Sequence, residues 1–194
     1  MRAAIRTASG LAVLLSVAVG VSTAQHPQTR EGFWIGFGFG YGSAHLACGG
    51  TCSFNDKAKG GGATGFIKLG GTLSPRLLLG GEVNAWVKSL SDSGASATEA
   101  VGNVSFAAYY YPAPASGFFL KAGVGLANYR LSDGGSVTGN GFGVLAGLGY
   151  DIRVGRNISI TPLGNFYFGS DGEVDIIPSV KHTVFDFGLG ITFH

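Results

Sequence analysis

Charged side chains are scarce in this sequence, at 12% of 194 residues, whereas globular proteins carry about a quarter. Hydrophobic residues reach 45%, which makes the chain rich in apolar groups for a soluble protein. The small basic excess comes from the N-terminus, since removing Arg2 and Arg6 from the 13 Lys+Arg leaves 11, against 11 Asp+Glu. The sequence therefore contains no basic patch that would indicate a nucleic-acid partner.

A long apolar run is also missing. The longest, Leu11–Val21, is shorter than the ~20 residues that a membrane-spanning helix needs. It follows a basic N-terminus and precedes small residues up to Ala24, a pattern typical of a cleaved secretory signal peptide rather than of a transmembrane anchor. We therefore predict a signal peptide over residues 1–24, an N-terminal leader over 25–31 and one domain over 32–194.

Only two cysteines are present, Cys48 and Cys52. In an exported chain thiols are oxidised by default, so we predict a disulfide that closes a small loop. The alternative is metal binding with His45 as a third ligand, but no fourth ligand lies at a useful spacing. We expect neither a metal nor a cofactor.

Glycine, in contrast, is abundant, with 35 residues, and it alternates with bulky apolar residues. The last predicted strand, Thr183–His194, shows this most clearly. One of its faces carries Asp186, glycine and threonine, and the other carries Phe185, Phe187, Leu189, Ile191 and Phe193. This alternation is that of a strand with one apolar face.

Seven further stretches repeat the pattern, so the apolar faces outnumber any single core that they could form. A closed barrel resolves this, because its outside can face lipid and no sheet edge meets hydrocarbon. We predict an all-β, eight-stranded antiparallel up-and-down transmembrane barrel with a polar lumen, narrow enough to need glycine. The strands are predicted over residues 32–42, 63–73, 77–87, 100–111, 117–129, 141–152, 158–168 and 183–194.

The predicted connections alternate between long and short, as in bacterial outer-membrane barrels with short periplasmic turns and longer outer loops. The short ones are residues 74–76, 112–116 and 153–157, and the long ones are 43–61, 88–99, 132–140 and 169–180. Aromatic residues near the strand ends are interpreted as interfacial girdles. These are Tyr109, Tyr110, Tyr111, Phe118, Tyr150 and Phe193 on the periplasmic side, and Tyr41, Phe142, Phe168 and Phe185 on the outer side.

Four segments carry a resemblance to a known family: Gly80–Trp86, Phe118–Gly125, Gly141–Asp151 and the last strand. With them the chain resembles the small eight-stranded outer-membrane β-barrel family, the OmpA- and OmpX-like group, over nearly all of its mature length. The resemblance implies the outer membrane of a Gram-negative bacterium, periplasmic chaperones and barrel-insertion machinery as partners, and a last strand that carries the assembly signal. In that family the last strand commonly ends in Phe, whereas here His194 follows Phe193.

Five charged residues fall on predicted inward faces: Lys68, Glu82, Lys121, Asp151 and Asp186. If residues 74–76 form a three-residue hairpin loop, Lys68 lies opposite Glu82, so we predict an ion pair there, joined by Lys121. The first interpretation is a polar network that fills the lumen and fixes the strand register. The alternative is a gate across a small pore.

The patterns favour a non-enzymatic, monomeric outer-membrane barrel with a role in envelope integrity or adhesion. The alternatives are a narrow porin-like channel for small solutes and a soluble lipocalin-type barrel, which would have an apolar interior. Catalysis is disfavoured, because no His-x-Ser pair shares a strand face and His26, His45, His182 and His194 fall at predicted ends or loops; only His182 with Ser179 remains. The expected contacts are outer-membrane lipid and an extracellular ligand of the loops.

Overall fold

The structure is a computed structural model that describes residues 28–48, 58–92, 95–132, 136–171 and 180–194. Over these residues the strands are β1 Phe33–Cys48, β2 Ala58–Ser74, β3 Leu77–Asp92, β4 Ala95–Tyr110, β5 Phe118–Ser132, β6 Ser136–Tyr150, β7 Ile152–Arg153, β8 Ile158–Asp171 and β9 Val180–Phe193. No helix in this part of the chain is long and apolar enough to cross a membrane.

The strands form one closed antiparallel barrel. Each long strand pairs with the next along the chain, and β1 pairs with β9 to close the wall. The two-residue β7 continues β6 past Asp151, and both pair with β8, so the wall has eight strand positions. The predicted eight-stranded up-and-down barrel is confirmed.

The wall is strongly staggered. Following register partners once round the barrel from Trp34 leads to Ala44, ten residues further along β1. For eight strand positions this stagger corresponds to a strand tilt of about 40°. The lumen of such a barrel is just wide enough for side chains to fill it.

The outer face of the barrel is apolar. Phe39 and Phe187 are 77% and 67% exposed, and the alternate residues Phe185, Leu189, Ile191 and Phe193 of the last strand point outwards with them. So continuous an apolar surface matches the lipid-facing band of an outer-membrane barrel. It is the reverse of the lipocalin arrangement, which keeps its apolar face inside.

The lumen is more aromatic than predicted. Its largest fully buried side chains include Trp34, Trp86, Tyr109, Tyr111, Phe119 and Tyr167. The prediction that Tyr109 and Tyr111 belong to the periplasmic girdle is therefore wrong. Side chains alternate along a strand, so residues 109 and 111 share the inward face while Tyr110 between them is exposed.

The two ends of the barrel differ. We call the end with residues 28–32, His194 and the turns 75–76, 111–117 and 154–157 the terminal end, and the opposite one the distal end. Much of the long loops predicted at the distal end is strand, since β1 continues to Cys48 and β2 begins at Ala58. The polar residues of these strand extensions stay in the ladder without apolar side-chain contacts, because their backbone groups form hydrogen bonds with the neighbouring strands.

Pro162 lies inside β8, where a proline is unusual. The ladder between β6 and β8 ends at Gly149 opposite Leu163, and it resumes with β7 at Ile152 opposite Ile160. Pro162 therefore lies opposite the break between β6 and β7, where a missing N–H disturbs the ladder least.

Candidate functional site in the barrel lumen

Lys68 and Glu82 lie directly opposite each other on β2 and β3, both inside the barrel. The predicted three-residue loop is nevertheless wrong, because Ser74 pairs with Leu77 and the turn has only Pro75 and Arg76. A bulge between Thr72 and Ser74 adds one residue to β2 and restores the register. Without it, a two-residue turn would move Lys68 one position out of register with Glu82.

The predicted ion pair of Glu82 with Lys68 is wrong, whereas Lys121, which was predicted to join it, is the partner of Glu82. Its carboxylate forms an ion pair with Lys121 and accepts a hydrogen bond from the Tyr109 hydroxyl. Lys68 lies instead among aromatic rings, with its Nζ 5.1 Å from the ring centroid of Phe119 and 5.4 Å from that of Tyr109. Cation–π attraction at these distances partly replaces the water that a buried ammonium group loses.

Glycines on the inward face make room for the two lysines. A Cβ at Gly36 would lie 2.7 Å from Cε of Lys68, and one at Gly147 would lie 2.7 Å from Cε of Lys121. A side chain at either position would therefore require the neighbouring lysine to move. The inward glycines thus leave space that long side chains from other strands occupy.

Asp186 belongs to a separate amide-rich layer. The Asn165 amide nitrogen donates to Asp186 Oδ1 at 3.1 Å and to Asn84 Oδ1 at 3.4 Å. No lysine or arginine among the described residues lies within ion-pair distance of this carboxylate. The five predicted inward charges therefore all lie in the lumen, but they form more than one group.

Residues 28–32, which we call the N-terminal strap, fold across the terminal end. Arg30 is buried there and donates from its guanidinium to the carbonyl oxygens of Pro114 at 2.9 Å and Ser116 at 2.8 Å. Arg153 donates to the carbonyl oxygen of Thr29 at 2.7 Å. The strap is thereby bonded to the turn 111–117 and to β7.

Asp151 is the hub of the terminal end. Its carboxylate accepts hydrogen bonds from Tyr111 at 2.8 Å and Thr161 at 2.7 Å, and its carbonyl oxygen accepts one from Gln28 at 3.1 Å. His194 Nε2 lies 3.6 Å from the carboxylate. Burial and the neighbouring carboxylate raise the pKa of Tyr111 well above its ordinary value, so its hydroxyl stays a donor.

Sequence reasoning missed three residues of this site: Arg30, Tyr109 and Tyr111. The tyrosines could have been found by continuing the inward alternation of their strand. Arg30 could not, because a five-residue segment outside any periodic pattern gives no indication of where it folds.

The histidines differ from the prediction. His182 lies in β9 and is fully buried, and His45 lies in β1, so neither is in a loop. His26, Ser179 and Cys52 fall outside the described residues, as does the predicted signal peptide, so the disulfide, the signal peptide and the His182 pairing with Ser179 stay predictions. In the described ranges no three His, Cys, Asp or Glu residues come close enough to hold a metal ion.

Comparisons with known proteins identify the fold. No protein-family profile matches the sequence, and no curated protein does. The structure is similar to Ail, the attachment invasion locus protein of Yersinia pestis, in complex with the heparin analogue sucrose octasulfate, with a TM-score of 0.55 and 15% identity over 84% of this chain and 99% of that one. It is also similar to Neisserial surface protein A, with a TM-score of 0.55 and 18% identity over 85% of this chain and 98% of that one. Both are small eight-stranded outer-membrane barrels.

Proposed function

Since the chain has the fold of the small outer-membrane β-barrel proteins, we propose that it is a non-conducting barrel that anchors an attachment surface in the outer membrane of a Gram-negative bacterium. The observation that carries the proposal is the occupied lumen. The strap and Asp151 close the terminal end, and the Glu82 pair with Lys121 lies among aromatic rings above it.

The lumen contacts oppose ion flow. To open a path, the protein would have to release Arg30 from two carbonyl oxygens and separate the ion pair of Glu82 and Lys121 inside a low-dielectric interior. Breaking a buried pair costs roughly 3–5 kcal/mol, because each charge is left without a partner. The barrel therefore acts as a rigid anchor for its distal end.

Attachment is supported by the distal end and by the similar proteins. The strands continue past the last exposed aromatic residues of the belt: β1 extends seven residues beyond Tyr41, to Cys48, and β9 begins five residues before Phe185. This projecting wall offers a rigid surface to other molecules. Ail is named for attachment and invasion and was crystallised with a heparin analogue.

Two measurements test the proposal. In a planar bilayer the purified protein should give no current steps above the empty membrane. Expressed in a non-adherent bacterium, it should increase binding to host cells, and replacing residues 172–179 by a short Gly-Ser linker should reduce that binding. Regular current steps would contradict the closed lumen, and equal adhesion by the two proteins would contradict the attachment role of the distal end.

A narrow channel for small solutes is the second candidate. It is favoured by the position of Lys68, which lies opposite Glu82 in register and could take over its carboxylate from Lys121. Such an exchange would move charge along the lumen. Lys68→Met should then abolish any current that the native protein carries, whereas a closed barrel gives no current in either form.

We further propose that the protein is not an enzyme, and that it is inserted as a monomer by the barrel-insertion machinery with periplasmic chaperones. The apolar last strand supports the insertion route. Hydrolysis of outer-membrane lipid by the purified protein would contradict the first statement, and a dimer mass in mild detergent would contradict the second.

A further inference from the structure

A trough of small residues crosses the lipid-facing wall. Gly65 on β2 pairs in register with Ala85 on β3, which pairs with Gly102 on β4. All three lie on the outward face. The outward row on the terminal side is bulky, with Ile67, Val83 and Val104 exposed to 54%, 46% and 55%, so the small row lies below that row.

The trough widens into a cavity of about 630 Å³ in the outer wall. This volume falls within the ~300–1,000 Å³ of sites that hold small ligands. The cavity continues across β1 to β9, and its outward lining is apolar: Phe37, Phe39, Ile67, Val83, Leu189 and Ile191. It belongs to the same belt that meets lipid, so its natural occupant is hydrocarbon.

The other end of the trough is polar. Gly102 pairs in register with Asn128 on β5, which pairs with Asn140 on β6. Both asparagines are exposed, and the Asn128 amide nitrogen donates to Asn140 Oδ1 at 2.7 Å.

Arg130 follows on the same outward face, two residues nearer the distal end, and it too is exposed. No carboxylate among the described residues forms an ion pair with it. The outward surface therefore changes from the apolar cavity, through the two asparagine amides, to the guanidinium of Arg130.

We propose that this surface binds one phosphorylated glycolipid of the outer leaflet, with an acyl chain in the trough, the sugar at Asn128 and Asn140, and a phosphate at Arg130. A guanidinium binds phosphate through two parallel hydrogen bonds, and amide groups pair with sugar hydroxyls. The short turns mark the terminal end as periplasmic, which places the Arg130 end in the outer leaflet. A phospholipid would supply the phosphate and chain but no sugar for the two amides.

The wall offers matched glycines for a test. A Cβ at Gly65 or at Gly102 would meet its nearest atom, a backbone oxygen, only at 3.7 Å, so leucine at either position can extend into the trough without disturbing the wall. Gly81 is also outward, has nothing within 4 Å of an added Cβ and lies outside the trough. Leucine there makes a control of equal size and environment.

The experiment measures lipid retained by the protein after extraction of native outer membranes into mild detergent, using mass spectrometry of glycolipid and phospholipid. The native protein and Gly81→Leu should each retain about one glycolipid per chain. In the double variant Gly65→Leu, Gly102→Leu retention should fall about tenfold, because leucine side chains occupy the trough. In Arg130→Gln it should also fall about tenfold, because the charge-assisted hydrogen bonds to phosphate are lost. Lys181→Gln, which removes an exposed cation of β9, should change nothing.

Folding is checked in every variant by the heat-dependent shift of the unboiled band. Equal retention by the double variant and Gly81→Leu would overturn the trough, and equal retention by Arg130→Gln and Lys181→Gln would overturn the phosphate site. Phospholipid in place of glycolipid would overturn the ligand. Neither conductance nor adhesion enters these measurements, so the result is independent of the proposed function.

Discussion

The guanidinium of Arg30 stacks on the ring of Tyr111, with its central carbon 3.7 Å from the ring centroid. The same tyrosine donates its hydroxyl to Asp151. One aromatic side chain thus joins the N-terminal strap to the barrel wall, and the terminal end is closed by a contact between a segment outside the strands and a residue just after β4.

Substituting Arg30 by Ala should loosen this end. It removes the ring contact and the bonds to Pro114 and Ser116, with an expected loss of roughly 2–3 kcal/mol. The temperature at which the unboiled gel band loses its shift should fall. Arg76→Ala, at an exposed turn position of the same end, is the control. If the two variants melt together, the strap does not stabilise the barrel.

Substituting Glu82 by Gln should destabilise the barrel by roughly 3–5 kcal/mol, because Lys121 keeps a buried charge without its partner. Unfolding in urea from detergent micelles measures the loss. The double variant Glu82→Gln, Lys121→Met should recover most of it, since it removes both charges. Glu31→Gln, at an exposed position, controls for the change of net charge. Unchanged stability and conductance in Glu82→Gln would contradict both the network and the gate.

Position 149, where glycine leaves space for a buried ring, should not tolerate any side chain. A Cβ there would lie 2.5 Å from Cζ of the buried Phe119 ring, so Gly149→Ala should cost about 1–3 kcal/mol through overpacking. Adding Phe119→Leu should restore part of the loss. Gly71→Ala is the matched control, because a Cβ at that glycine meets nothing within 4 Å. Equal melting of the two alanine variants would show that Phe119 can move aside.

Phe193 stacks on Phe37 across the closing seam between β9 and β1, with ring centroids 6.3 Å apart. We expect Phe193→Ala to reduce the folded fraction in cells, because we propose that the insertion machinery recognises the last strand. Refolding of the purified chain into lipid vesicles should fall much less. Phe166→Ala, on the outward face of β8, serves as control. A similar loss in both settings would attribute the effect to the ring contact alone.

The sequence was sufficient for the faces of the wall. Alternation along a strand places Phe187 outside and Lys121 inside without any tertiary information. It also places Tyr109 inside, and the prediction failed there because strand-end aromatics were assigned to a girdle as a group.

Other features depend on geometry that no local pattern carries. The bulge near Ser74 decides whether Lys68 faces Glu82, and nothing in its composition marks it. The choice of Lys121 as the partner of Glu82 depends on the stagger across three strands. The strap has no residue periodicity, so its bonds to the turn 111–117 and to β7 appear only in three dimensions.

The pairing of Ile35 with Phe193 joins nearly the two ends of the described chain. Hairpins such as β2 with β3 can form locally, but the contact order of the seam is close to the maximum for a chain of this length. The entropy of bringing such distant segments together is lost before the seam contacts can offset it. The last pairing should therefore be the slowest event in folding, and the open sheet that precedes it exposes two strand edges until the wall is complete.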